Sequence, residues 1–181
     1  MAQVKVAVIG CGFVFDKYMD TWSRHEKLRI VGVSDINNKR LDDVANYYAL
    51  KAFPDNESLL KEDIDIVLNL TTINSHYEVT KAALLSGKHV YSEKPLTSNL
   101  EEARELFELA SKKGLRLSCA PSNTLGSTCQ TIWKIIKDEL IGDVKLVYAE
   151  FDTSPLYLKN KNLKTKDGFP FLSESYNVTA S

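Results

Sequence analysis

The sequence predicts an α/β protein, with a doubly wound parallel sheet followed by the truncated start of a second α/β domain. Over the first 120 residues, short β-branched segments alternate with segments of helical periodicity. This alternation is typical of right-handed crossover connections, which place helices on both faces of a parallel sheet. It stops after Pro121, and residues 152–181 are rich in Lys, Asn and Ser without any periodic segment. We therefore expect one complete domain and part of a second.

Six strands and their connecting helices are predicted in the first domain. The strands comprise residues 4–9, 28–34, 51–53, 65–70, 89–92 and 115–119. The first helix is expected to place Val14, Tyr18, Met19 and Trp22 on one side, and the second, opened by Asn37 and Asn38, to bury Leu41, Val44, Ala45 and Tyr48. A further helix covers residues 75–86 and ends at Gly87. The next begins with the capping box Ser98-x-x-Glu101 and turns Ala103, Leu106, Phe107 and Ala110 to the core.

The pattern changes beyond Pro121. A helix over residues 127–140 is expected to face Ile132, Ile135, Ile136 and Leu140 inward, and an alternating strand follows at 144–151. We therefore divide the chain into a first domain at residues 1–120 and a linker helix with the first strand of a second domain at residues 121–181.

Composition and charge exclude several classes of protein. The chain is 44% hydrophobic and carries 23 Lys and Arg against 24 Asp and Glu, so it lacks the basic surface that nucleic acid or an anionic membrane requires. The apolar run at residues 6–12 is too short to span a membrane and has no signal-peptide flank, so we expect a cytoplasmic protein. Cys11, Cys119 and Cys129 show no paired spacing, and we interpret them as reduced core residues; no metal site is predicted.

The first candidate binding residues follow the first strand. In an open parallel sheet, ligands bind beyond the carboxyl ends of the strands, near the point where the strand order reverses. Here the strand leads into Gly10-Cys11-Gly12, and Phe13 and Val14 open the helix. Such a turn lets backbone amides approach a pyrophosphate, so Gly10, Gly12, Phe13 and Val14 are predicted to bind a dinucleotide. Phe15 stands where the GxGxxG pattern has its third glycine, and the alternative interpretation is a plain strand-to-helix turn.

Asp35 ends the second strand and follows Gly10 by 25 positions, close to the spacing at which a carboxylate binds the adenosine ribose. A carboxylate there would repel the ribose phosphate of NADP, so the cofactor is expected to be NAD more than NADP. Lys39 and Arg40 lie close enough in sequence to blunt that preference. The alternative role for Asp35 is capping of the following helix.

The remaining candidates follow the fourth and fifth strands. Thr71, Thr72 and Asn74 are predicted to orient the cofactor, and Glu93 and Lys94, next along the same edge, are further candidates for cofactor binding. Lys94, between Glu93 and Pro95, is expected to point its amine into the crevice, or else to be a surface lysine paired with Glu93. His76 is a further candidate for cofactor binding, although a histidine that bonds a helix terminus is more common. His89, inside a strand, is interpreted as structural.

The segments VAVIGCG, VGVSD, NLTTINSH and ALLSGKHVYSEKPLT resemble the glucose-fructose oxidoreductase, inositol dehydrogenase and rhizopine-catabolism (Gfo/Idh/MocA) family of sugar and polyol dehydrogenases. The resemblance covers residues 4–150, and GKHVYSEKPLT is its most specific part. It implies a Rossmann domain followed by a substrate and oligomerisation domain, in a longer protein that is a homo-oligomer. In this family the lysine of the EKP motif binds a substrate hydroxyl and takes part in proton transfer, a role that falls on Lys94.

The resemblance implies an NAD(P)-dependent oxidoreductase that transfers a hydride between a nicotinamide and a secondary alcohol or ketone of a sugar, sugar derivative or polyol. This chain is then an N-terminal fragment that is inactive alone. Two alternatives stay open: a non-catalytic, redox-sensing nucleotide-binding module, and a reductase of another substrate built on the same nucleotide domain.

Overall fold

The computed structural model describes residues 3–121 and 123–150, except for the side chain of residue 123. Its strands are β1 (Val4–Ile9), β2 (Leu28–Ser34), β3 (Ala52–Phe53), β4 (Ile66–Asn69), β5 (His89–Ser92) and β6 (Leu117–Cys119). Its helices are α1 (Phe13–Trp22), α2 (Asn38–Tyr48), α3 (Asn56–Leu60), α4 (Ile73–Leu85), α5 (Leu100–Lys112) and α6 (Ser127–Lys137), with a 3-10 turn at Asn123–Leu125.

The six strands form one sheet in the order β3-β2-β1-β4-β5-β6, and every pair is parallel. The strand order reverses between β1 and β4, which are neighbours in the sheet but not in the chain. This confirms the predicted doubly wound α/β fold. In such folds, ligands bind beyond the carboxyl ends of the strands where the order reverses, here β1 and β4.

Two apolar cores lie on the two faces of this sheet. Val6 and Val8 of β1 pack in a cluster with Phe15 of α1 and Leu41 of α2. Ala7 and Ile9, which alternate with them, pack in a second cluster with Leu84 of α4 and Leu106 of α5. Because successive side chains of a strand point to opposite faces, β1 supplies both cores and is buried on both sides.

The start of α5 differs from the prediction. The N-cap is Asn99, whose side chain accepts a hydrogen bond from the Glu101 amide at 2.8 Å, so the predicted Ser98 capping box is wrong. Asn is as good an N-cap as Ser, and the one-residue shift follows from this competition. Leu106 and Ala110 are buried as predicted, but Phe107 is 53% exposed, because it lies about 100° around the helix from Leu106.

The predictions beyond residue 121 are partly wrong. Helix α6 ends at Lys137 instead of residue 140, and Ile132, Ile136 and Leu140 are exposed. Residues 144–150 are exposed and irregular, so the strand predicted at 144–151 is not formed over them, and position 151 lies outside the described residues. A strand needs a hydrogen-bonded neighbour, and none pairs with residues 144–150 within the part of the chain that the structure describes.

By its contacts the chain divides into two units, the first of which ends at Gln130. The predicted division at residue 120 stays a prediction. Among the described residues, no helix is both long and apolar enough to cross a membrane. In the same residues, no cluster of three or more His, Cys, Asp or Glu side chains is arranged to hold a metal ion.

Candidate functional site

The last residues of five strands lie side by side in register. They are Ile9, Ser34, Asn69, Ser92 and Cys119. The residue after a strand end donates to the neighbouring strand: Gly10 N to Ser34 O and Glu93 N to Asn69 O, both at 2.8 Å. Because strands are about 4.8 Å apart, β5 lies about 10 Å from β1. The Gly10 turn and the Glu93-Lys94 segment therefore follow strands that end at one edge of the sheet, which we call the rim.

The glycine turn after β1 requires glycine at its first position. Gly10 has φ +96°, and a Cβ there would lie 2.6 Å from the carbonyl carbon of Leu70. Gly12 is different, because a Cβ there would meet no heavy atom within 4 Å. Gly12 is the N-cap of α1 and provides no side-chain capping bond. The first amides of the helix, at Phe13 and Val14, therefore lack a side-chain cap, and we call such uncapped helix amides open.

Phe15 occupies the third position of the glycine pattern. Its side chain is 1% exposed and lies edge-on to Tyr48 of α2, with ring centroids 5.7 Å apart. The ring therefore packs in the core shared by α1 and α2, and it does not fill the open space beside Gly12.

Asp35, directly after β2, is hydrogen-bonded to the glycine turn. One carboxylate oxygen accepts from the Cys11 amide at 2.6 Å, and the other accepts from the Asn37 amide at 2.7 Å. The cap of α2 is Asn37, whose side chain accepts from the Arg40 amide. Asp35 is thus not the side-chain cap of α2; it holds the turn, and its oxygens retain further lone pairs for a ligand.

An ion pair lies next to this carboxylate. One terminal nitrogen of Arg40 lies 2.7 and 2.8 Å from the two carboxylate oxygens of Asp16, in the first turn of α1. The Nε of Arg40 donates to the Cys11 carbonyl at 2.6 Å. The Arg40 side chain, close to Asp35 in sequence, is therefore drawn toward α1 and the glycine turn.

A buried polar network orders the loop after β4. Asn69 is fully buried; its amide nitrogen donates to the His76 carbonyl and to the Thr80 hydroxyl, and its oxygen accepts from the Thr71 hydroxyl at 2.7 Å. Thr72 is the N-cap of α4 but forms no side-chain capping bond. Thr72 and Asn74 are exposed, and α4 begins after β4, the strand next to β1 in the sheet.

His76 contacts both the loop after β4 and the loop after β5. Its side chain is 1% exposed, with one ring nitrogen 3.0 Å from the Thr71 carbonyl and the other 2.5 Å from the Pro95 carbonyl. Each ring nitrogen faces a backbone carbonyl, which supports a structural role for His76. Its predicted part in cofactor binding stays a prediction.

Lys94 follows β5 at the rim and is exposed. Its amide donates to one carboxylate oxygen of Glu93 at 3.0 Å, while the other accepts from the Tyr18 hydroxyl of α1 at 2.9 Å. Burial of the Tyr18 ring, followed by the nearby Glu93 charge, raises the pKa of its hydroxyl, so Tyr18 stays protonated and donates. Glu93 is thereby held between α1 and the Lys94 backbone.

The thiols do not provide a nucleophile. Burial, followed by the Asp35 charge, raises the pKa of Cys11 to about 12, and burial also raises the pKa of Cys119. Both remain protonated at neutral pH. Cys129 is exposed, so its predicted place in the core is wrong, because it lies on α6, which has no buried residue. His89 accepts from the Arg116 amide at 2.9 Å, in keeping with its structural interpretation.

The structure thus brings Gly10, Asp35, Thr72 and Lys94 to one edge, and it adds contacts that sequence reasoning missed. The polar Asn69 in an otherwise apolar buried strand was the one local signal for the network around His76. The Asp16–Arg40 and Tyr18–Glu93 contacts had no local signal, since they join residues 24 and 75 positions apart.

The strand order and the open glycine turn define an NAD(P)-binding Rossmann domain. The Gfo/Idh/MocA family, described as an oxidoreductase family with an NAD-binding Rossmann fold, matches residues 4–120. The chain belongs to this family.

Three relatives illustrate its range. A dTDP-3,4-didehydro-2,6-dideoxy-α-D-glucose 3-reductase of Streptomyces antibioticus is 30% identical, over 72% of this chain and 40% of the relative. The NADP⁺-dependent scyllo-inositol 2-dehydrogenase of Bacillus subtilis is 26% identical, over 82% and 42%. The structure of a UDP-N-acetylglucosamine 3-dehydrogenase of Acidithiobacillus ferrooxidans matches with a TM-score of 0.67 and 28% identity, over 74% and 42%. The chain spans less than half the length of each of these relatives.

Proposed function

We propose that the protein containing this chain transfers a hydride between NAD(P) and a secondary alcohol or ketone of a sugar, a sugar derivative or a polyol. One observation carries the proposal: the open amides of α1 and the Lys94 segment lie at the same rim, at the ends of register-aligned strands. In the proposal, the rim thus supplies both the cofactor cradle and the proton-transfer group.

The residues present fit a dinucleotide. A Cβ at Gly10 would collide with the backbone, whereas the space above Gly12 is open, as a pyrophosphate beside α1 requires. In the proposal, the amides of Phe13 and Val14 bind the pyrophosphate and Asp35 accepts from the adenosine ribose. Thr71, Thr72 and Asn74 line the path of the cofactor toward β5. The nicotinamide, when bound, supplies the hydride acceptor or donor.

Lys94 and Glu93 have different roles in this proposal. Lys94 binds the reacting hydroxyl through its amine and takes up or returns the hydroxyl proton as the hydride moves. Glu93 accepts from Tyr18 and from the Lys94 amide, and it thereby holds the backbone from which the lysine extends. His76 holds the same segment through the Pro95 carbonyl.

The class of substrate is supported by the relatives. They are named for reactions on a dTDP-linked sugar, on scyllo-inositol and on UDP-N-acetylglucosamine. All three molecules carry secondary alcohols or the ketones derived from them. We propose NAD as the preferred cofactor because Asp35 places a carboxylate where the 2′ position of the ribose is expected.

Titration of this chain with NADH and NADPH, followed by nicotinamide fluorescence, tests the cofactor site, and we expect binding with NADH favoured. A screen of sugars, sugar nucleotides and polyols with the full-length natural protein tests the reaction. There, Lys94→Met should lower kcat by at least about 100-fold, with the Kd of NADH changed less than about twofold, within the scatter of a surface change.

Lys112→Met, at an exposed site at the end of α5, is the matched control and should leave both quantities unchanged. If Lys94→Met abolishes NADH binding instead of turnover, the assignment of Lys94 is wrong. If the chain binds nucleotide and the full-length protein turns over nothing in the screen, the redox-sensing module is the better explanation.

A further inference from the structure

We propose that Asp16 sets the preference between NAD and NADP, because it holds the Arg40 guanidinium away from the 2′ position of the adenosine ribose. This inference rests on the proposed dinucleotide site and names a residue that decides which dinucleotide it takes.

Arg40 is placed where a ligand for a 2′-phosphate is needed. It lies in the first turn of α2, five positions after Asp35, and the end of β2 is where the adenosine ribose binds in a Rossmann domain. A guanidinium is well suited to a phosphate, because its planar N–H groups donate two parallel hydrogen bonds. On position alone, Arg40 would favour NADP.

The observed contacts of Arg40 point elsewhere. One terminal nitrogen reaches both carboxylate oxygens of Asp16 at 2.7 and 2.8 Å, and Nε donates to the Cys11 carbonyl at 2.6 Å. Two of its three nitrogens are therefore committed to α1 and the glycine turn. To bind a 2′-phosphate, Arg40 would have to break its ion pair with Asp16. The Asp16 carboxylate and the phosphate, both negative, would compete for the same guanidinium.

The carboxylates of Asp35 and Asp16 also favour NAD over NADP. Asp35 puts one carboxylate at the end of β2, where the 2′ position is expected, and the Asp16 carboxylate offsets the positive charge of Arg40, to which it is bonded. The carboxylate of Asp35 also holds the Cys11 and Asn37 amides, so changing Asp35 would disturb the turn that both cofactors need. Asp16 forms no such backbone bond among the described contacts, and its charge can be removed separately.

The Asp16–Arg40 pair is at the protein surface. The side chains are 51% and 35% exposed, and ion pairs at this exposure contribute little to stability. The variant Asp16→Asn should therefore fold normally while leaving Arg40 without its carboxylate partner. Asp20→Asn is the matched control, since it removes the same charge from an exposed position one turn further along α1.

The test measures the Kd of NADH and of NADPH for this chain by nicotinamide fluorescence, with circular dichroism as a check of folding. Asp16→Asn should tighten NADPH binding by about tenfold, the effect of one charge-assisted hydrogen bond, and change NADH binding less than about twofold. Asp20→Asn should leave the ratio of the two Kd values unchanged. In the double variant Asp16→Asn with Arg40→Met, the gain in NADPH affinity should be lost.

Three results would overturn the inference. They are an unchanged ratio of Kd values in Asp16→Asn, an equal gain in Asp20→Asn, and a gain that persists in the double variant. If the unchanged chain binds neither nucleotide, the proposed function itself fails. If it binds both nucleotides and the ratio does not respond to Asp16, only the role of Asp16 is wrong.

Discussion

The helices of the sheet domain begin in two different ways. Helices α2, α3 and α5 are capped by the side chains of Asn37, Asp55 and Asn99, which accept from backbone amides at 3.1, 2.6 and 2.8 Å. Helices α1 and α4 begin at Gly12 and Thr72, and neither residue provides a side-chain cap in the structure described. The two uncapped helices follow β1 and β4, the neighbouring strands between which the sheet order reverses.

This difference shows how the fold separates stability from binding. A capped N-terminus satisfies its own amides and contributes about 1 kcal/mol. An uncapped N-terminus leaves its amides, and the positive end of the helix dipole, for an external anion. Thr72 is of a residue type that caps well elsewhere, yet its side chain does not do so here. The absence of a cap on α1 and α4 therefore cannot be explained only by the missing side chain of Gly12, because α4 is uncapped as well.

The largest expected effect, on NADH affinity, comes from a substitution that gives α1 a side-chain N-cap. Gly12→Asp has room, since no heavy atom lies within 4 Å of its Cβ, and φ is −72°. The new carboxylate would bond the α1 amides and repel the pyrophosphate. We expect NADH affinity to fall by at least about 100-fold, while the free energy of unfolding stays the same or rises by up to about 1 kcal/mol. Fluorescence titration and urea unfolding measure the two quantities.

Gly12→Asn separates the cap from the charge, and it should weaken binding less than Gly12→Asp. Unaltered NADH affinity in both variants would mean that the α1 amides do not hold the cofactor.

A second, smaller effect concerns the thiol in the turn before α1. A thiol at a helix N-terminus usually has a lowered pKa, but burial, followed by the Asp35 charge, raises the pKa of Cys11 from 9.0 to about 12. Its Sγ is directed to the Ser34 carbonyl. The unfolded thiol ionises above pH 9 while the folded one does not, so stability should fall between about pH 9 and pH 12.

In Cys11→Ala this part of the alkaline loss should disappear, about 1 kcal/mol at pH 10, measured by urea unfolding from pH 7 to pH 11. Cys129→Ala is the control for removal of an exposed thiol. Identical alkaline losses in the unchanged chain and Cys11→Ala would contradict the raised pKa and place the thiol nearer the open amides.

The smallest effect tests the caps directly. Asn99→Ala removes the cap of α5 and should lower the free energy of unfolding by about 1 kcal/mol. Thr72→Ala removes a side chain that caps nothing in the structure and should cost less than about 0.5 kcal/mol. Equal losses in the two variants would show that Thr72 caps α4 in solution.

The fold was predictable where single segments carry strong patterns. The predicted bounds of β1 and β2 agree with the structure, because segments rich in β-branched residues are followed there by turn residues. Helix α3 was missed, since its five residues are too few to show a period. The cap of α5 was misplaced by one residue because Ser98 and Asn99 are both good caps.

The candidate site was predictable to the extent that parallel topology determines it. The ends of parallel strands meet at one edge, and this alone brings Gly10, Asp35 and Lys94 together. The contacts that hold these residues in place were not predictable. His76 with Pro95 and Tyr18 with Glu93 depend on how side chains of different helices pack against the rim, which no spacing along the chain encodes.

The central claim is that one edge of this sheet binds a nicotinamide dinucleotide, with Lys94 close to it. Amide chemical shifts of the ¹⁵N-labelled chain during titration with NADH test it most directly. We predict that the perturbed amides include those of Gly12, Asp35, Thr72 and Lys94, at the carboxyl ends of β1, β2, β4 and β5. Perturbations confined to the opposite ends of these strands, near Val4, Ile66 and His89, would contradict it.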